Sequence, residues 1–451
     1  MYPQVVEGNE QPRVNAPMAI KDQHPRVLLV HMPKVKADDA ANLLIRMQLG
    51  NWPKGRLAQI HSSESPGRGE FCSRYYQLQA RDRILGKLFM RLRTGVSKMV
   101  AMDAVAPSPA TRPSWLFRRW RNAVQKRLGD LLIRSGVWEA MFRVRLSRPM
   151  AEFVQDFRPD LIYCSGYSLA FATLPLLIAD RFNVPICFQT LEDWPSYSYP
   201  HSPVGSLLRR QAARLIRHAV LRLAFGEKMK SEYERRYRVP FHVTYHLDDA
   251  NRFRVAEPER ISQTKRIIFT GSLVLNRHEC IEDLLKAIRV LEQEGFRVEL
   301  EVYCTGVPKE VSDEVRSTPA LKFLPLPAHD DLPRVLRSAD VLFLPEAFSV
   351  DANRLGLAIS TKCHLYMMAE RPILVYGPSY AGTIEYAHQQ GWAVVVQHRD
   401  IGMLTDALRR LLSDRALGVK LTRQALECFK RNHNLKDARE RFEKLVAASV
   451  A

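Results

Sequence analysis

Arg266-Ile-Ile-Phe-Thr-Gly-Ser272 reads as a short buried β-strand that ends at a glycine turn. The run is rich in β-type apolar residues, and Gly271-Ser272 lets a backbone approach a ligand closely. A helical pattern follows over about Glu279 to Glu294, then strand-like runs at Val298–Tyr303, Leu321–Leu324, Val341–Leu344, Ile373–Tyr376 and Ala393–Val396. Helical patterns fill the gaps and run almost unbroken from Gly402 to Val446. Strands alternating with helices predict a parallel, doubly wound α/β sheet.

The same grammar occurs upstream. Arg26-Val-Leu-Leu-Val-His31 and Arg56-Leu-Ala-Gln-Ile-His61 read as strands, the second ending in the loop Ser62-Ser-Glu-Ser-Pro-Gly67. A helix is expected from about Asp38, where Asp38-Asp39 suits a helix N-terminus. Leu161–Cys164, Val184–Phe188 and Val220–Phe225 continue the strand series. At 451 residues the chain is too long for one compact core. The reading is a disordered polar leader (1–24), an N-terminal Rossmann-like domain (25–255) and a C-terminal one (256–451). Two such domains face a cleft at the C-terminal ends of their strands, where open α/β sheets bind ligands.

Charge divides unevenly between the halves. Residues 1–250 hold 38 Lys+Arg against 22 Asp+Glu, and residues 251–451 hold 29 against 26. Residues 81–148 form a basic helical insert with 16 cations and four acids (Asp82, Asp103, Asp130 and Glu139). Within Trp115-Leu-Phe-Arg-Arg-Trp-Arg-Asn-Ala-Val-Gln-Lys-Arg-Leu128, rings and aliphatics recur at helical spacing between cations. That pattern fits a helix lying on an anionic membrane surface, or an amphipathic helix packed on its own domain. The basic half also admits a nucleic-acid-binding protein, but no RRM, KH or helix-turn-helix pattern is present, so no nucleic-acid partner is expected. The seven cysteines are scattered without a CxxC pair, which speaks against a disulfide framework or structural zinc. The first 24 residues lack a signal-peptide core, and no apolar run approaches the ~20 residues that span a bilayer. The expected location is cytoplasmic, with peripheral attachment to the inner face of the membrane.

Candidate chemistry gathers in the C-terminal half. Gly271, Ser272, Asn276 and Arg277 follow the Arg266–Thr270 strand. Further on stands Ile359-Ser-Thr-Lys-Cys-His-Leu-Tyr-Met-Met-Ala-Glu-Arg-Pro-Ile-Leu-Val-Tyr-Gly-Pro378. Ser360-Thr361 reads as a helix start with Lys362 in its first turn. A cation there opposes the helix dipole, and a bound diphosphate would explain it. A surface lysine pointing away from the helix end is the alternative. Glu192-Asp193, at a strand end beside the cleft, would orient or deprotonate a hydroxyl, or serve as a helix cap or salt bridge. Glu346 follows Leu344-Pro345 and His31 ends the first strand; both stand at cleft positions.

Ser360-Thr-Lys362, Tyr366, Met368-Ala369 and Arg371-Pro-Ile-Leu-Val-Tyr-Gly-Pro378 resemble the donor-binding segment of bacterial retaining glycosyltransferases of family 4, in their polysaccharide-building branch. Leu332–Pro345, Asn42–Arg46, Gly50–His61, Phe157–Tyr163 and Leu191–Pro195 resemble other segments of that family, so the likeness spans most of residues 26–446. It implies a GT-B fold whose C-terminal helices pack back toward the N-terminal domain. It also implies transfer from a nucleotide-diphosphate sugar to a glycan or lipid-linked acceptor, with retention, and with neither metal nor cofactor. The implied donor-binding residues are Gly271, Ser272, Asn276, Glu346, Ser360, Thr361 and Tyr366. The implied catalytic residues are Arg277 and Lys362 on the leaving diphosphate and Glu192 and Asp193 on the acceptor. Three positions depart from the family. Leu365 replaces a Glu that contacts the donor ribose, Lys36-Ala-Asp-Asp-Ala40 replaces the Gly after the first strand, and Gln189 replaces a frequent His. A GT-B scaffold without catalysis and a nucleotide-sugar epimerase are the alternatives within this fold.

Overall fold

The computed structural model describes residues 24–35, 42–62, 69–86, 131–132, 134–254 and 263–450. The N-terminal sheet contains β1 (Val27–Val30), β2 (Leu57–His61), β3 (Arg74–Gln77), β4 (Leu161–Cys164), β5 (Ile186–Thr190), β6 (Leu221–Phe225) and β7 (His242–Thr244). The C-terminal sheet contains β8 (Lys265–Thr270), β9 (Val298–Cys304), β10 (Leu321–Pro325), β11 (Val341–Pro345), β12 (Ile373–Tyr376) and β13 (Val394–Val396). Every pairing is parallel, and the lateral orders are β3-β2-β1-β4-β5-β6-β7 and β10-β9-β8-β11-β12-β13. In each sheet the order reverses once, between β1 and β4 and between β8 and β11. Crossovers on either side of that switch diverge to opposite faces, and a crevice opens beyond the strand ends.

The expected strands are present, with ends shifted by one or two residues. The Val184–Phe188 run begins instead at Ile186, since Pro185 has no N–H to enter the ladder. β3 and β7 had no counterpart in the sequence reading. Both are edge strands with polar, partly exposed sequences, Arg-Tyr-Tyr-Gln and His-Val-Thr, so neither forms an apolar run. The first described helix is Leu43–Leu49, and the expected start at Asp38 lies outside the described residues. Most of the leader and of the basic insert, Trp115–Leu128 included, also lies outside them.

The C-terminal helical stretch breaks into Ile401–Ser413, Arg415–Asn432 and Leu435–Val450. Asp400 and Asp414 cap the first two, accepting from Met403 N at 2.8 Å and Leu417 N at 2.9 Å. The last helix leaves its own domain. On β1, Leu28 and Val30 join the main core, while Val27 and Leu29 face the other way. That second face is covered by Phe442 and Val446, with Phe442 against Trp52 and Tyr163. The C-terminus thus supplies one layer of the N-terminal domain. Asp248 N donates to His433 O and Leu435 N to Asp248 O, both at 3.1 Å, where the two crossings between domains meet. A Lys228–Glu385 ion pair of 2.5 Å and a stacked Tyr245–Tyr386 pair close the same interface. Among the described residues no helix is long and apolar enough to cross a membrane.

Candidate active site

The loops after β8 and β11 leave the C-terminal switch point, and they carry four of the residues singled out from sequence. Gly271 takes φ of 131°, a conformation side chains rarely adopt. A Cβ there would lie 2.4 Å from Cε of Lys362, so the lysine stem lies directly over this glycine. Burial pulls the Lys362 pKa from an ordinary 10.5 down to about 8; Arg277 adds to the fall and Glu346 opposes it. Arg277 begins the helix Arg277–Gln293 and donates to Glu346 Oε2 at 2.9 Å and to Pro345 O at 3.3 Å. The buried Glu346 takes a second hydrogen bond, on Oε1, from Thr383 Oγ1 at 3.0 Å. Thr383 Oγ1 in turn accepts from Ser360 N at 2.9 Å. One carboxylate therefore ties the β8 and β11 loops to the Ser360–Lys362 turn and holds Arg277, while Lys362 lies over Gly271 close enough to feel both charges. That arrangement suits stabilisation of a dianion.

The remaining C-terminal candidates divide by role. The helix expected to start at Ser360-Thr361 begins later, at Cys363, with Lys362 as its N-cap. Ser360 Oγ accepts from Lys362 N at 3.4 Å, which holds the turn. Tyr366 is fully buried, and its hydroxyl accepts from Thr270 N at 2.9 Å, bracing the end of β8 from beneath. Asn276, at φ 55°, donates to Ser349 Oγ at 3.0 Å. Ser272 and Asn276 line a hollow of about 500 Å³ with His278, Thr305 and Gly306.

A larger cavity of about 910 Å³ lies between the domains. Its N-terminal wall includes His31, Tyr163 and Glu192, and its C-terminal wall Thr361, His364 and Leu365. His31 Nε2 is 2.8 Å from Asn42 Oδ1, so the first strand's histidine stands at the cavity. Leu365 offers hydrocarbon at the position where the resembled family has a carboxylate. Glu192 and Asp193 part company. Asp193 is 5% exposed and receives both Arg236 Nη atoms at 2.8 and 3.0 Å, Tyr233 OH at 3.0 Å and Ser196 Oγ at 2.6 Å. With its oxygens so occupied it is a structural ion pair, and Glu192 is the carboxylate left at the cavity.

Sequence reading did not select Thr383 or the buried histidines. His246, His364 and His433 lie in a row, with ring centroids 5.6 and 6.0 Å apart. Burial lowers the His246 pKa to about 3 and the His433 pKa to about 4, and drives His364 well below its ordinary value. Three histidines from distant segments carry no shared spacing, so no motif could reveal them.

The paired switch-point sheets, the cleft and the returning C-terminal helix are the GT-B fold of glycosyltransferases. Residues 264–414, from β8 past the helix Ile401–Ser413, match the family described as glycosyl transferases group 1. That match lies within the C-terminal half of the GT-B frame. Similar solved structures include Anabaena HepE in complex with UDP and glucose, at TM-score 0.58 and 11% identity over 94% of this chain and 100% of that one. A UDP-forming α,α-trehalose-phosphate synthase from Burkholderia xenovorans aligns at TM-score 0.59 and 13% identity, covering 95% and 100%. WaaG, a glycosyltransferase involved in lipopolysaccharide biosynthesis, aligns at 0.54 and 10%, covering 93% and 99%. At such identities the likeness concerns the fold. No curated protein matches the chain by sequence.

Proposed function

We propose that the protein transfers a sugar from a nucleotide-diphosphate donor to a glycan or lipid-linked acceptor, with retention and without metal, in cell-surface polysaccharide biosynthesis. One observation carries this reading: Lys362 lies over Gly271 at the switch point, and Arg277 and Glu346 hold that place ready for a diphosphate. In the reaction the bond from the anomeric carbon to the diphosphate breaks, and an acceptor hydroxyl oxygen bonds to that carbon. Lys362 and Arg277 neutralise the departing diphosphate, while Glu192 orients the hydroxyl and receives its proton. Ser272 and Asn276 border the nucleoside, and Tyr366 and Ser360 hold the loops. The similar fold of HepE, solved in complex with UDP and glucose, supports a nucleotide-sugar donor. That of WaaG, which is involved in lipopolysaccharide biosynthesis, supports a surface-glycan role.

An acceptor on the inner membrane face fits the charge of the N-terminal domain. The helix Pro203–His218 has no acidic residue and exposes Arg209, Arg210, Arg214 and Arg217. Cations beside an anionic leaflet are each worth on the order of 1 kcal/mol. The test is a thermal-shift screen of purified protein against UDP, GDP, dTDP, ADP, CMP and their common sugar conjugates. A nucleoside diphosphate and its conjugate should raise the midpoint by mass action. No shift from any of them rejects the transferase reading in favour of a GT-B scaffold.

A further inference from the structure

The amine of Lys362 is unspent and within reach of solvent. The residue is part-exposed, and among the described residues Nζ has neither a hydrogen bond nor an ion pair. Lys228, Lys286 and Lys322 differ, since each pairs with a carboxylate. Nζ stands instead over the Phe269 ring, 5.5 Å from its centroid. The missing side chain of Gly271 gives the amine its room, because a Cβ there would lie 3.3 Å from Nζ. Burial of the stem, with the charge of Arg277 adding to it, leaves this amine a pKa of about 8 against an ordinary 10.5. Arg277 keeps donors in reserve. It uses Nε on Pro345 O and one N–H each of Nη1 and Nη2 on Val274 O and Glu346 Oε2. The guanidinium has a second N–H on each Nη. Both Glu346 oxygens are occupied, by Arg277 and Thr383. A free amine and unspent guanidinium donors thus flank the turn from Gly271 to Arg277. Neutralising a diphosphate uses the charge of Lys362 and leaves its nucleophilic form without a task.

We propose that Lys362 is a modification site, acylated on Nζ by a small acyl phosphate that enters the place prepared for the diphosphate, and that this acylation switches donor binding off. The proposal rests on the transferase reading and adds a regulation to that site. An acyl phosphate joins the anion this place attracts to an electrophilic carbonyl. Arg277 takes the phosphate, and the neutral amine attacks the carbonyl carbon. A C–N bond forms, the bond from that carbon to the phosphate oxygen breaks, and inorganic phosphate leaves with the electron pair. Nζ then gives one proton to water. The product is an amide with no charge, and it fills the space above Gly271. The diphosphate has lost its cation and met added bulk. Selectivity over other lysines follows from the fraction of free amine. At pH 7 that fraction is about 10% for a pKa near 8 and about 0.03% for an ordinary lysine, a gain of roughly 300-fold. With a slope of about 0.5, as thiol nucleophiles show, lower basicity offsets about half of this gain on a logarithmic scale. More than tenfold remains, before any help from the phosphate contact.

The test uses the full chain with acetyl phosphate at pH 7, following each lysine by mass spectrometry of its peptides over time. The exposed Lys309 and Lys420 are the internal references. Lys362 should be acetylated at least tenfold faster than either, and inorganic phosphate should slow Lys362 alone. Acetic anhydride, which has no phosphate, should show a smaller preference for Lys362. Calorimetric titration of the acetylated protein with UDP, GDP, dTDP, ADP and CDP should show affinity falling in proportion to the acetylated fraction of Lys362. Acetylation of Lys362 no faster than the references overturns the proposal. So does a preference that inorganic phosphate leaves unchanged, or one that acetic anhydride reproduces in full. Full diphosphate affinity after acetylation of Lys362 overturns the switch. If phosphate protects Lys362 while no nucleoside diphosphate binds or protects, the modification stands and the transferase reading fails. Diphosphate binding without preferential acetylation leaves the transferase reading standing and removes the modification.

Discussion

Replacing Lys362 by methionine should move ligand affinity and apo stability in opposite directions. The folded protein holds this ammonium over Gly271, in a place that pulls its pKa from 10.5 to about 8. That drop corresponds to about 3 kcal/mol of cost for keeping the charge at neutral pH. Methionine keeps most of the stem and removes the charge. The apo variant should therefore be more stable than the parent at pH 7, by up to about 3 kcal/mol, diminished by the packing that the ammonium itself provides. Between pH 8 and 10.5 the folded parent has released this proton while the unfolded chain still binds it. The parent accordingly gains stability with rising pH, and the gap closes toward pH 10.5. Binding goes the other way. A charge-assisted hydrogen bond is worth about 1.5–3 kcal/mol, so nucleoside-diphosphate affinity should fall between roughly tenfold and 150-fold. In the parent, affinity should decline above pH 8 as the free ammonium deprotonates. Urea melts at pH 7 and pH 9.5, with calorimetric titration of the diphosphate, measure both effects. Unchanged affinity in the variant would refute the site assignment, and a destabilised apo variant would refute the claim that the cation is held at a cost.

Asp193→Asn should lower stability by about 2–3 kcal/mol, because it leaves the half-buried Arg236 without its main counter-charge. Diphosphate affinity should be unchanged; loss of affinity without loss of stability would return Asp193 to the active site. Phe442→Ala should destabilise the chain by about 3–5 kcal/mol by opening a void beneath β1 and β4, measurable by urea denaturation. A cost below about 1 kcal/mol would mean that the last helix does not complete the N-terminal core.

The amino-acid sequence by itself determined the two doubly wound sheets, because strands buried on both faces must read as short apolar runs and the crossovers between them as helices. It also marked Gly271, Arg277, Glu346 and Lys362, because in such sheets the loops at strand ends can be located before the strands are ordered. Local periodicity does not register destination. The helix at Leu435–Val450 reads as one more amphipathic segment, and only three-dimensional packing shows that its apolar face serves the N-terminal sheet. β3 and β7 escaped because edge strands need no apolar run. Asp193 and Glu192 are neighbours of one charge, and only the placement of Arg236, Tyr233 and Ser196 assigns the first to the framework and leaves the second at the cavity. The lysine stem against Gly271 and Thr383 beneath Glu346 are both pairings across sequence-distant segments. Burial and hydrogen-bond satisfaction are properties of those pairings, so they exist only once the chain has folded.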